Sequence, residues 1–176
     1  MRAVTSCALL FCAALAAASQ GCGYRLAGRA DLMPRSIESV AIPAFRNSTY
    51  RYRLSERMPA AIAEEFISRT RYRVVPKPEE ADAVLEGAIT QFNAYPSVFD
   101  PTTNRASIVQ ASLMLDVTLR ERATGKVLFS RSRWEFRERY EISIDQKAYF
   151  DESDAALERL SRDVARTLVS GILEDF

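Results

Sequence analysis

"VQASLMLDVTLRERATGKVLFSRSRWEFRERY", residues 109–140, holds the longest regular pattern in the chain. Val109, Ala111, Leu113, Leu115, Val117 and Leu119 fall on one side at period two, and Gln110, Ser112, Met114, Asp116, Thr118 and Arg120 fall on the other. Alternate side chains of a strand point to opposite faces, so this spacing predicts a strand buried on one face only. "ERATGKV" then turns the chain around Thr124-Gly125, and residues 127–142 run back as the hairpin partner. Such a sheet needs a second layer over its apolar face.

The flanking sequence supplies that layer. From Leu54 to Thr70 the spacing becomes helical, with Leu54, Met58, Ala61, Ile62, Glu65 and Phe66 on one side. Pro59 is tolerable only near the first turn, so the regular helix is expected to begin close to Met58 or to kink there. Asp151 to Phe176 reads as a second helix, with Leu157, Leu160, Val164, Leu168 and Ile172 facing inward. Asp151, Glu152 and Asp154 suit the positive end of its dipole. "IESVAIPAF" (37–45), "YRVV" (72–75) and a segment from near Ala83 read as further strands. Ala83, Leu85, Gly87 and Ile89 share one face of the last, and "NAYPSVFDPTTN" (93–104) reads as a loop. The expected fold class is α/β: a two-layer sandwich, two helices packed on one face of a mixed, mainly antiparallel β-sheet.

Ahead of this domain, residues 1–21 have the order of an export signal. Arg2 gives the positive start, Ala3 to Ala18 carries no charge, and Ser19-Gln20-Gly21 leads to Cys22. A small residue followed by cysteine resembles the bacterial lipoprotein processing site, which implies acylation of the Cys22 thiol and cleavage before it. Ser19 departs from that pattern, which usually has an aliphatic residue there. Ordinary signal cleavage, leaving a free thiol, is the alternative. Cys7 and Cys12 would leave with the signal, so the remaining chain holds one cysteine and no internal disulfide. Two or three acyl chains anchor far better than one, at roughly 0.8 kcal/mol per buried CH₂. Gly23 stands where the inner-membrane retention signal has Asp, which favours the outer membrane. The organisation expected is a signal at 1–21, a lipidated tether at 22–36 and one domain at 37–176.

Composition bounds the chemistry. The chain has 24 basic and 23 acidic residues, and losing Arg2 with the signal leaves the two signs equal. That balance argues against a nucleic-acid binder. The chain contains no histidine, so no Ser-His or Cys-His nucleophile can form. Glu64-Glu65 and Glu79-Glu80 are adjacent pairs that point apart on a helix. No zinc spacing and no glycine-rich phosphate loop occurs, so no metal, cofactor or enzyme activity is expected. The sharper feature is "FSRSRWEFRERY" (129–140). On an unbroken strand Arg131, Arg133, Glu135, Arg137 and Arg139 share one face, opposite Trp134 and Phe136. Guanidinium forks match phosphates bidentately, which makes Arg131, Arg133, Arg137 and Arg139 candidates for holding a phosphorylated glycolipid. The same row also suits an edge strand guarded by charge. "FRNSTYRYR" gives a secondary basic patch at Arg46, Arg51 and Arg53, with tyrosines between, and Tyr95 and Phe99 a weaker docking tip.

Several segments occur together: "CGYRLAG" (22–28), "LMP" (32–34), "IESVAIPAFRNST" (37–49), "AIAEEFISR" (61–69) and "EADAVLEGAI" (80–89). Their order and spacing resemble the LPS-assembly lipoprotein family LptE, most strongly from Cys22 to Ile89. The resemblance implies two helices against a mixed sheet and an outer-membrane lipoprotein that plugs the LptD β-barrel from the periplasmic side. It also implies help in folding that barrel, help in delivering lipopolysaccharide to the outer leaflet, and lipopolysaccharide binding through basic side chains. Only Cys22 carries over residue by residue, as the point of membrane attachment. Pro59 departs from the family pattern. A regulatory lipoprotein of a periplasmic cell-wall synthase, and an auxiliary lipoprotein of a lipid-exporting ABC system, are the other classes; "CGYRLAG" to "AFRNST" favours lipopolysaccharide assembly over both.

Overall fold

The computed structural model describes residues 33–34, 36–102, 104–141 and 146–174. Cys22 and the segment before it lie outside the described residues. In chain order the elements are β1 (Ser39–Ala41), β2 (Arg46–Asn47), α1 (Leu54–Arg69), β3 (Arg73–Val75), a 3-10 turn (Pro78–Glu80), β4 (Ala83–Phe99), β5 (Ala106–Glu121), β6 (Val127–Glu141) and α2 (Gln146–Glu174). Among the described residues the strands form one mixed sheet in the order β3-β1-β4-β5-β6, with β2 also on β4. β1 lies parallel to β3 and β4, whereas β4, β5 and β6 are antiparallel neighbours.

The apolar side of β5 is the floor of the core. Its six residues from Val109 to Leu119 are buried, together with Leu85 and Ile89 of β4. Leu54, Met58, Ile62 and Phe66 of α1 and Leu160, Val164, Leu168 and Ile172 of α2 join the same buried cluster. Each such side chain contributes roughly 1.5–3 kcal/mol relative to exposure. Two helices on one face of a mixed sheet is therefore the observed architecture, as the periodicity requires.

Three boundaries differ from expectation. β4 does not end near residue 92 but pairs with β5 as far as Phe99–Ala106, so "NAYPSVF" is strand. Turn-forming residues there are overridden by a long antiparallel partner, and the register shifts beside Pro96 absorb the irregularity. α2 starts at Gln146, so Asp154 stands two turns inside rather than at the dipole. Pro59, finally, lies within α1, which begins at Leu54. A helical proline strips the carbonyl four residues earlier of its donor. That carbonyl belongs to Ser55, and the Phe45 N–H donates to it at 2.9 Å. The chain before the helix thus supplies the hydrogen bond that Pro59 cannot.

"EADAVLEGAI" forms a corner. The Asp82 carboxylate accepts the N–H of Glu38 and of Ser39, both at 3.0 Å, and the Ser39 hydroxyl at 2.8 Å. Arg122 Nε donates to the Ala81 carbonyl at 2.6 Å, and the Arg122 N–H to that of Asp82 at 2.8 Å. The Ser39 hydroxyl above all, with the Glu38 and Ser39 N–H groups, holds the Asp82 carboxyl below its usual range. A carboxyl lowered on folding adds stability above its unfolded pKa and loses it as pH falls through the folded value. Asp82→Ala is therefore expected to cost about 1–3 kcal/mol at neutral pH in urea melts. The deficit relative to the parent shrinks below about pH 4.

Gly87 faces the core where the Phe45 ring crosses β4, and a Cβ added there would overlap that ring. Gly87→Ala is expected to cost about 1–3 kcal/mol by overpacking. Combined with Phe45→Leu, it should cost less than the sum of the two changes in the same melts, because the sites share one space.

Candidate functional site

The helices cover one face of the sheet and leave the other open. On that open face β5 presents Gln110, Ser112, Met114, Asp116 and Thr118, and β6 lies beside it along Val127–Glu141. The pairing of β6 decides where its arginines go. Leu115 opposes Trp134 and Val117 opposes Arg131, so Asp116 faces two residues, Ser132 and Arg133. This is a β-bulge. Arg133 takes φ +51°, and the Asp116 carboxylate accepts its N–H at 2.6 Å.

An extra residue moves everything beyond it to the other face. Trp134 and Phe136 oppose Leu115 and Leu113 and so reach the helix side, where they pack as a pair with centroids 5.2 Å apart. Glu135, Arg137 and Arg139 oppose Met114, Ser112 and Gln110 on the open face. Arg131 opposes the buried Val117 and lies over the Phe129 ring, with 5.1 Å from its guanidinium carbon to the centroid. The four arginines therefore do not share one face. The bulge separates Arg131 from Arg133, Arg137 and Arg139, because unbroken alternation fails at Ser132.

The open-face arginines differ in their partners. Arg137 grips Glu135 through Nε and an Nη, both at 2.9 Å, and Ser112 donates to the same carboxylate at 3.0 Å. The bond from Arg137, with that from Ser112, lowers the Glu135 pKa, and the pairing with Glu135 raises that of Arg137. Arg139 Nε donates to Gln110, whose amide donates to the Tyr95 hydroxyl at 2.8 Å, so Tyr95 belongs to a polar rung across three strands rather than to a loop tip. The Arg133 guanidinium makes no hydrogen bond or ion pair with a described residue. The result is a polar, hydrogen-bonded surface with cations along one edge.

A second cluster lies on the helix side. Tyr50, Arg51, Tyr52, Arg53 and Arg57, with Ser153 and Asp154 of α2, line a cleft of about 430 Å³. Arg51 lies against Tyr50 and Phe92, 5.5 and 5.7 Å from the ring centroids, and its Nε is buried with no hydrogen-bond partner. Arg57 bonds Asp154 at 3.1 Å, and Arg53 approaches it at 3.9 Å. The hydrogen bond from Arg57, then the charges of Arg57, Arg53 and Arg51, hold Asp154 below the usual carboxylate range. Arg51 and Arg53 thus come together as the secondary patch requires. Arg46, on β2, does not line the cleft, and Arg57, which sequence spacing missed, replaces it. The signal for Arg57 was its place one helical turn after Arg53. Among the described residues no group of cysteine, aspartate and glutamate could hold a metal ion.

This arrangement defines a small α/β sandwich domain, a two-helix layer backing a mixed sheet whose other face is polar and open. Solved structures share the fold. Rare lipoprotein B of Shewanella oneidensis superposes with a TM-score of 0.53 at 10% identity, over 77% of this chain and 94% of that one. Lipoprotein B of Nitrosomonas europaea gives 0.53 at 15%, over 83% and 87%. A minor lipoprotein of Acinetobacter baumannii gives 0.52 at 7%, over 81% and 95%. No curated protein sequence matches the chain. The model of the lipopolysaccharide-assembly family LptE matches residues 37–172, and the chain belongs to that family.

A left-handed φ at a residue with a Cβ costs on the order of 1 kcal/mol. Arg133→Gly is expected to raise stability by about 1 kcal/mol, and Arg133→Val to lower it by at least as much, in urea melts at neutral pH.

Proposed function

We propose that this member of a lipopolysaccharide-assembly family is an outer-membrane lipoprotein anchored through Cys22 after loss of residues 1–21. Its domain, residues 37–176, is the non-catalytic, periplasm-facing plug of an LptD-type β-barrel, helps that barrel assemble, and binds lipopolysaccharide on its way to the outer leaflet. Family membership supports the assembly role. The lumen of a barrel is polar, and a domain with balanced charge and a polar sheet face suits it.

The observation that carries the lipid-binding part is Arg133, a guanidinium on the open face with no partner among the described residues, held at φ +51° where glycine would relax the backbone. Arg139 and Arg137 stand beside it on the same face, and three guanidinium groups in a row match the phosphates of a glycolipid. Arg131, across the bulge, contributes to the helix side instead.

The test is direct binding of purified lipopolysaccharide to folded variants. The double change Arg133→Glu, Arg139→Glu is expected to weaken binding at least about tenfold. Arg131→Glu is expected to stay within about twofold, since it occupies the other face. Unchanged binding by the double variant removes the open-face assignment.

A further inference from the structure

The two long edges of the sheet are treated differently. β6, the edge beyond β5, alternates Arg and Glu and carries the bulge at Ser132-Arg133, both of which discourage pairing with another strand. The opposite edge of β4 is covered only in part. β1 pairs with Ala83 and Val84, and β2 with Ala88 and Ile89. Beyond Ile89 no described strand lies on that edge, although β4 continues to Phe99. From Thr90 to Tyr95 the sequence is TQFNAY, with no charge and no proline. Tyr95, Val98 and Phe99 are 46%, 45% and 55% exposed, so large apolar groups accompany the open backbone. Register shifts beside Gln91 and Pro96 bound this stretch, and between them an edge without charge or proline is a template for adding a short strand.

The line of the missing strand is already marked. β2 starts it at Arg46–Asn47, and the Ser48 N–H donates to the Ile89 carbonyl before the chain turns away into Tyr50–Arg53. A segment continuing that line beside Thr90–Tyr95 would begin at the tyrosine-arginine cleft. There Arg51 is fixed between Tyr50 and Phe92, and Arg53 meets, among the described residues, only the long contact to Asp154, which Arg57 already engages. Among the described residues the lining holds three arginines against one acid, with Tyr50 and Tyr52 65% and 72% exposed beside them. Tyrosine and arginine around a concave site are the composition of a protein-binding hot spot. Arg57 on Asp154 shows the chemistry that the cleft accepts, a carboxylate.

We infer that the β4 edge from Thr90 to Tyr95 and the Tyr50–Arg57 cleft form one docking surface for an extended segment of a partner protein, added as a strand and carrying an Asp or Glu into the cleft. This goes beyond the lipid-binding reading, which concerns the arginines of β6 on the open face.

The experiment uses the full chain in its native envelope, with a benzoylphenylalanine photo-crosslinker in place of Ala94, an exposed residue that opposes Ala111 and so stands on the helix side of the edge, and in place of Thr118 on the open face as control. The expected product joins position 94 to a segment of a different protein that has no proline and includes Asp or Glu, mapped by mass spectrometry. Its yield should fall about tenfold with Arg51→Gln and Arg53→Gln combined, while far-UV circular dichroism stays unchanged. The inference is overturned if position 94 joins only lipid, this chain's own residues 1–32 or a second copy. It is equally overturned if the yield is the same in the cleft variant. Lipopolysaccharide binding by that cleft variant should equal that of the parent, so failure of the docking surface and failure of the lipid reading give separate results.

Discussion

The register of β5 between β4 and β6 commits six apolar side chains, Val109 to Leu119, to the helix layer and turns the alternate residues outward. Everything else is placed by that pairing. β4 can extend to Phe99 because β5 is there to pair with it, and α2 lies across β6 because the buried row needs a cover. A one-residue slip would send all six to water. The register is held at one end by the Asp82–Ser39 and Arg122–Ala81 hydrogen bonds, which tie β1, the start of β4 and the β5–β6 turn into one corner. Gly125, at φ +70°, closes that turn.

Against that fixed strand, β6 adjusts. Phe129 and Trp134 both reach the helix side, yet they are five residues apart, an odd spacing that regular alternation cannot satisfy. The extra residue at Ser132-Arg133 resolves the conflict. Trp134 then packs toward Gly171 of α2, where a Cβ would stand 3.4 Å from the indole, and Arg159 of α2 bonds Glu138 at 2.7 Å. Core packing on one face thus dictates which arginines appear on the other.

Much of the architecture was legible because it is periodic. The β5 row, the hairpin turn at Thr124-Gly125 and both helices follow from spacing alone. What was illegible depends on partners distant in sequence. Pro59 reads as a break until Phe45 is seen to supply the hydrogen bond to Ser55. "NAYPSVF" reads as a loop until β5 is alongside it. Asp154 reads as a dipole residue, yet its partner is Arg57, 97 positions earlier. The arginine row was half legible: residue types and edge position were in the sequence, but an aromatic packing conflict decided the faces. In "WEFRERY" the alternation is intact, and Arg137 and Arg139 fall together as expected. The break lies at Ser132, where Asp116 of another strand receives the unpaired N–H.

Stability alone gives no reason for arginine at 133. Exposed ion pairs contribute roughly 0–1 kcal/mol, and this guanidinium has none among the described residues. Its backbone conformation costs about as much again, where glycine would avoid the cost. The bulge itself requires only a residue able to enter the left-handed region with its N–H directed at Asp116. Among the described residues, folding supplies the bulge but no interaction for this side chain. The neighbouring Arg137 makes the contrast plain, since it is paired with Glu135 within the sheet. Folding therefore explains the helix face of β6 residue by residue. On the open face it explains Arg137 and Arg139, and at Arg133 the bulge but not the choice of side chain.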